Sequence, residues 1–66
     1  MITQRVIHMC TIKIGDLIQL NGHDGVVYYG TVLHKDKDGI TVVFSDGEEE
    51  HYYHEELPHE RMYILE

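Results

Sequence analysis

The chain has 66 residues and a formal net charge of −7, from twelve Asp and Glu against five Lys and Arg. A domain of this size buries only about 60% of its unfolded surface, so we expect a thin core and no large internal active-site cavity. A single cysteine excludes an intrachain disulfide, and no apolar stretch reaches the roughly 20 residues of a membrane span. Residues 1–5 lack the apolar run of a signal peptide, so we expect a cytoplasmic protein.

The N-terminal segment, Thr3 to Ile14, mixes apolar and polar residues without Gly or Pro and is predicted to be a strand. A period of two places one set of side chains on the core side: Ile2, Val6, His8, Cys10, Ile12 and Ile14. Cys10 is therefore expected to be a buried structural thiol. The opposite side carries Ile7 and Met9, and an exposed apolar strand favours a homodimer through Thr3–Ile14. The alternative is that Ile7 and Met9 are scattered surface hydrophobes.

Residues 15–65 predict a series of short strands separated by turns. Gly15-Asp16 leads into a strand at Leu17–Leu20, and residues 21–25 form a loop with two glycines. A β-meander follows, with strands at 26–33, 40–44 and 48–53 and with turns that use Asp38-Gly39 and Asp46-Gly47. Residues 54–59, which include Pro58, predict a tight or 3₁₀ turn, and residues 61–65 predict a closing strand.

Several short motifs resemble Tudor and related SH3-like barrels: Tyr-Gly-Thr-Val at 29–32, Val-Val-Phe at 42–44, Asp46-Gly47, and an acidic strand followed by Glu-Glu-Leu at 55–57. The resemblance covers roughly Ile14 to Leu65. It implies an all-β fold, a small barrel of five to six antiparallel strands at 15–65, with residues 1–14 as an extra N-terminal strand. A solitary domain of this kind is similar to the bacterial and phage versions of the family.

The resemblance also implies a ligand. Tudor-like domains bind methylated Lys or Arg in a cage of aromatic faces, whose negative quadrupoles attract the cation. Tyr28 and Phe44 fall at two cage positions, whereas the other two positions fall near Leu20 and at Gly47. Tyr52 or Tyr53 is the candidate replacement for the missing aromatic. The competing interpretation is that Tyr28, Phe44 and Tyr52 are core residues.

The net charge is confined to residues 46–60, which contain no Lys or Arg and seven acidic residues: Asp46, Glu48, Glu49, Glu50, Glu55, Glu56 and Glu60. The rest of the chain is balanced, with five acidic and five basic residues. Such a field repels phosphate backbones and attracts basic surfaces. One interpretation is that the charged side chains lie on an edge strand, where they keep the protein soluble and prevent aggregation. The other is a docking face for a basic protein.

Other chemistries have weaker support in the sequence. His51, His54 and His59 lie among acidic residues, but a metal site needs ligands that converge, and a solvated face that gains positive charge below about pH 6.5 is the simpler interpretation. Cys10 and His8 lack an orienting acid for catalysis. Nucleic-acid contact would depend on the few basic residues: Arg5, Lys13, Lys35, Lys37 and Arg61.

We therefore predict a non-enzymatic interaction module without cofactor or metal, which docks an acidic, aromatic-flanked face on the basic surface of a larger protein. The predicted binding residues are Tyr28, Tyr29, Phe44, Asp46, Glu48, Glu49, Glu50, Tyr52 and Tyr53. The alternatives are a nucleic-acid-associated protein and a reader of methylated lysine or arginine with an incomplete cage.

Overall fold

The computed structural model describes residues 3–65 as an all-β fold, in which six strands form one antiparallel sheet. The strands are β1 (Thr3–Arg5), β2 (Leu17–Asn21), β3 (Val27–Lys35), β4 (Gly39–Phe44), β5 (Glu49–Tyr53) and β6 (Arg61–Leu65). Two 3₁₀ helices, Met9–Thr11 and Leu57–His59, connect them. The predicted all-β class is confirmed, and no described helix has the length and apolar character to span a membrane. Ile2 lies outside the described residues.

The strand order in the sheet is β1-β6-β2-β3-β4-β5. Strands β2 to β5 form the predicted meander, and the chain then passes through the second 3₁₀ helix so that β6 pairs with β2. β1 adds to the far side of β6. Because the sheet is not closed, β1 and β5 are its two edges.

The core lies on one face of this sheet and follows the period-2 alternation of the strands. Its buried apolar side chains are Val6, Ile12, Ile18, Val32, Ile40, Val42, Phe44, Tyr52, Leu57, Met62 and Ile64. Three of them, Val6, Ile12 and Leu57, lie outside the strands and are fully buried. Segments between strands therefore complete a core that a single short sheet cannot enclose.

The predicted strand over Thr3–Ile14 is wrong beyond Arg5. The N–H of Val6 donates to the carbonyl oxygen of Met62 at 2.8 Å, and the Val6 side chain enters the core. The chain then turns into the 3₁₀ helix Met9–Thr11. The segment leaves the sheet after Arg5 and places Val6 and Ile12 in the core, so its apolar residues do not form a strand repeat.

The side chains of this crossing segment accordingly do not alternate between two faces. Cys10 is exposed, which corrects the expectation of a buried thiol. Ile14, expected on the core side, is 62% exposed, whereas Met9, expected on the outer side, packs partly against the core. Ile7 is exposed, as expected from its place opposite Val6.

The two Asp-Gly pairs of the meander have different structural roles. Gly47 has φ +90°, and Asp46 accepts a hydrogen bond from the Glu48 N–H at 3.0 Å, so this pair forms the β4–β5 turn. Gly39 instead begins β4, and a Cβ there would collide with the carbonyl oxygen of Tyr52. Glycine at position 39 is thus required by close backbone approach rather than by a left-handed turn.

We expect Phe44→Ala to cost about 3 to 5 kcal/mol of unfolding free energy, because a nearly buried ring is replaced by a cavity. That loss equals most of the stability of so small a domain. Phe44 is 9% exposed, whereas Tyr53 is 50% exposed. Tyr53→Ala is the control and should cost far less. Urea denaturation of both variants measures the difference, and equal losses would contradict the core assignment of Phe44.

Candidate functional site

Seven residues line a groove of about 330 Å³ at one end of the core face: Leu20, Tyr28, Phe44, Asp46, Glu48, Glu50 and Tyr52. We call it the acidic groove. Six of the nine predicted binding residues are among these seven, and Leu20 is the addition. Its walls are aromatic and apolar, and its rim carries three carboxylates.

Strand register brings these residues together. Leu20 lies directly opposite Tyr28 across β2 and β3, and Phe44 lies opposite Gly30 across β3 and β4. Since Tyr28 and Gly30 share a strand face, the rings of Tyr28 and Phe44 are diagonal neighbours. Their centroids are 6.2 Å apart at an interplanar angle of 68°, an edge-to-face arrangement.

Gly30 makes room for the groove wall. A Cβ at Gly30 would lie 2.7 Å from Cγ1 of Val42 and 3.0 Å from Cδ1 of Phe44. The absence of a side chain lets the Phe44 ring pack against the backbone of β3. The sequence places Gly30 on the same strand face as Tyr28, but the contact with Phe44 becomes visible only in the folded sheet.

Tyr28 is held by a residue that the sequence analysis missed. Its hydroxyl donates to Oδ2 of Asp24 at 2.9 Å, and Oδ1 of Asp24 accepts the N–H of Val26 at 3.0 Å. The hydrogen bond from the Val26 N–H, followed by that from Tyr28, lowers the pKa of Asp24. The hydrogen bond to Asp24, together with the negative charge of Asp24, raises the pKa of Tyr28. Asp24 therefore anchors Tyr28 as a neutral phenol. The only sequence signal for this contact was an Asp in the loop just before the strand.

Tyr52 also lines the groove and is largely buried. Burial raises the pKa of Tyr52 to about 12, and the charges of Glu50, Glu60 and Glu56 add to the effect. The same negative field that disfavours a tyrosinate favours a cation beside the ring.

The remaining three predicted residues, Tyr29, Glu49 and Tyr53, lie on the other face of the sheet. Tyr29 lines a separate, mainly apolar depression of about 310 Å³ that also includes Leu17 and Leu65. The Tyr53 ring contacts the ring of His51 edge-to-face, with centroids 4.8 Å apart. The nine predicted residues are thus divided between two faces by the alternation of β3 and β5.

The other candidate groups are occupied by local contacts or dispersed. Nε2 of His54 lies 3.1 Å from Oε2 of Glu55, and both side chains are exposed. Within residues 3–65, no three His, Cys, Asp or Glu side chains form a group that could hold a metal ion. Among the basic residues, Arg5 and Lys35 donate to the backbone carbonyl oxygens of Pro58 and Ile12.

The acidic groove has the chemistry of a cation site. Aromatic faces and carboxylates both attract ammonium and guanidinium groups, and the groove volume is at the lower end of the roughly 300 to 1,000 Å³ of ligand pockets. Comparisons with protein-family models, with curated proteins and with solved structures found no match for the chain.

We expect the protein to lose stability as pH rises above about 10, through Tyr52. An unperturbed tyrosine has a pKa of 10.0, and in the folded protein that of Tyr52 is about 12. Since the unfolded state releases this proton first, the stabilisation is complete below pH 10.0 and is lost as pH approaches about 12. Denaturation midpoints measured across this range should fall less steeply for Tyr52→Phe. Tyr53→Phe serves as the control, and an identical pH dependence for Tyr52→Phe and the unmodified protein would contradict this assignment.

Proposed function

We propose that this protein is a non-enzymatic interaction module that docks its acidic groove on a basic surface of a larger protein. The observation that carries the proposal is the convergence of Tyr28, Phe44 and Tyr52 with Asp46, Glu48 and Glu50 around one groove. These residues come from three strands and a turn, so the fold assembles a mixed aromatic and acidic surface that no single segment contains.

A lysine or arginine side chain of the partner fits this chemistry. Its aliphatic stem packs on Leu20 and the aromatic rings, and its charged head reaches the carboxylates of the rim. The rim carboxylates belong to the segment that holds the whole net charge of the chain, so they also steer a basic surface toward the groove. Nucleic acid is disfavoured by the same field.

The proposed fold family is the SH3-like, Tudor-like barrel with β1 as an added edge strand. Support comes from the four-strand meander, from the 3₁₀ helix before the last strand, and from the pairing of that strand with the first strand of the meander. The similarity to bacterial and phage versions belongs to the same proposal.

A reader of methylated lysine or arginine is the second candidate. It is favoured by Tyr52, which lines the same groove as Tyr28 and Phe44 and so supplies a third aromatic wall. The two candidates differ in ligand preference. A reader binds a trimethyllysine peptide more tightly than its unmodified form, whereas a groove that depends on carboxylates binds the unmodified lysine at least as well.

We expect the double variant Glu48→Gln/Glu50→Gln to associate several-fold more slowly at low salt with a partner captured from the native lysate. Removal of rim charge weakens electrostatic steering, and added salt should reduce the difference. Asp38→Asn/Glu55→Gln removes the same charge away from the groove and is the control. Association rates follow from surface plasmon resonance. Equal rates for both double variants and the unmodified protein would refute docking through the groove.

We also propose a homodimer through residues 3–14, since Ile7 and Ile14 in this segment are 45% and 62% exposed. Burial of these side chains between two copies would remove apolar surface from water. Sedimentation equilibrium should show a dimer that Ile7→Lys/Ile14→Lys shifts to monomer. Val26→Lys, at an exposed apolar residue elsewhere, should leave the dimer intact. A monomer at every concentration would contradict the proposal.

A further inference from the structure

Strand β5 is an edge of the sheet, and its outer side is open. It is last in the strand order, and its residues Glu49, Glu50 and His51 are exposed. An edge strand presents unpaired backbone N–H and C=O groups, which another extended chain can satisfy. The identity of the free groups on β5 follows from the register of the β4–β5 ladder.

The hydrogen bonds at the two ends of this ladder determine its phase. The N–H of Phe44 donates to the carbonyl oxygen of Glu48 at 2.8 Å, and the N–H of His54 donates to that of Asp38 at 2.9 Å. Bonded and non-bonded pairs alternate in an antiparallel ladder. Given the register Val42↔Glu50 and Ile40↔Tyr52, Glu50 and Tyr52 direct their backbone groups toward β4, and Glu49, His51 and Tyr53 direct theirs outward.

Contacts of Tyr53 agree with this phase. Its N–H lies 3.4 Å from Oε1 of Glu56, and its carbonyl oxygen accepts the N–H of Glu56 at 2.9 Å. Across the described part of the chain, β5 pairs with β4 alone, and the backbone hydrogen bonds of turns and loops do not include Glu49 or His51. The outward N–H and C=O groups of Glu49 and His51 are therefore available to a partner.

The side chains beside this open edge determine what can pair with it. Glu48 and Glu50 point to the acidic groove, and Glu49 points to the opposite face. A second copy of β5 would bring glutamates of both copies against each other, which like-charge repulsion disfavours. An added strand with Lys or Arg faces opposite charge on both sides of the sheet, and its groove-side cations lie next to Tyr52.

We propose that β5 binds an extended lysine- or arginine-rich segment of a partner protein as an additional strand of the sheet. The proposal rests on the docking function proposed above and specifies its geometry: backbone pairing with Glu49 and His51 supplies the alignment, and the acidic groove receives a basic side chain of the added strand. The groove and the open edge are parts of one binding surface.

The test uses a short peptide of alternating threonine and lysine, with binding measured by fluorescence anisotropy on the full chain. Two isomers carry backbone N-methyl groups on one or the other set of alternate residues. In a paired strand one set of N–H groups faces β5 and the other faces solvent, so one isomer should bind like the parent peptide and the other about tenfold or more weakly.

His51→Pro tests the same pairing from the protein side. Proline removes the outward N–H of His51 and leaves the bonds between β4 and β5 intact, since an edge strand tolerates proline at such a position. We expect His51→Pro to weaken the peptide about tenfold, whereas His51→Ala, which keeps the N–H, should bind it within about twofold of the unmodified protein. The N-methyl isomers decide the question if His51→Pro does not fold.

The outcomes separate the two proposals. Equal binding of the parent peptide and both isomers would overturn strand addition while leaving docking by side chains alone. No binding at up to about millimolar peptide would overturn the inference and would mean that the acidic residues of β5 only protect the edge from pairing. Docking on a basic surface is then judged separately, by the association rates of the Glu48→Gln/Glu50→Gln variant.

Discussion

The register of the β4–β5 hairpin is the constraint on which the acidic groove depends. It is held at one end by the Asp46-Gly47 turn and at the other by the close approach of Gly39 to the Tyr52 carbonyl group. A slip of one residue would move Tyr52 and Glu50 to the opposite face, because side chains alternate with a period of two. The core would lose Tyr52 and the groove would lose a wall and part of its rim.

Core and groove share two aromatic residues, whereas Tyr28, which was also expected in the core, is exposed. Phe44 and Tyr52 are nearly buried, yet both line the groove, which lies where the thin core of a small sheet reaches the surface. The two interpretations of these rings, core and recognition, are therefore compatible. Both rings contribute to packing, and the Asp46 carboxylate holds the turn. Glu48 and Glu50 are exposed, so their charges can be removed with little effect on packing, and recognition is separable from stability by experiment.

The acidic residues of β5 have two consequences for an open edge. They oppose pairing between two copies of the same strand, which protects the protein from aggregation. They also leave the edge compatible with a strand of opposite charge. Edge protection and the proposed docking of a basic partner therefore rest on one distribution of charge.

Local pattern alone predicted much of this molecule. The meander, the Asp46-Gly47 turn, the 3₁₀ turn before the last strand and the all-β class follow from turn residues and a period of two, which act between near neighbours. The same period places Tyr28 and Gly30 on one face, and Tyr52 with Glu48 and Glu50 on one face. The predicted alternation is wrong over residues 6–14, because this segment lies outside the sheet and has no regular repeat.

Tertiary structure decided the rest, because pairing between distant strands is not encoded in local alternation. The pairing of β2 with β3 and of β3 with β4 brings Leu20, Tyr28 and Phe44 to one groove. The strand order also places β5 at an edge. The contact of Tyr28 with Asp24 depends on the path of the loop at residues 21–25. The turn residues of this segment predict that it is a loop, but they do not predict its path. Sequence thus determined which side chains share a strand face, and the order of strands in the sheet determined which faces meet.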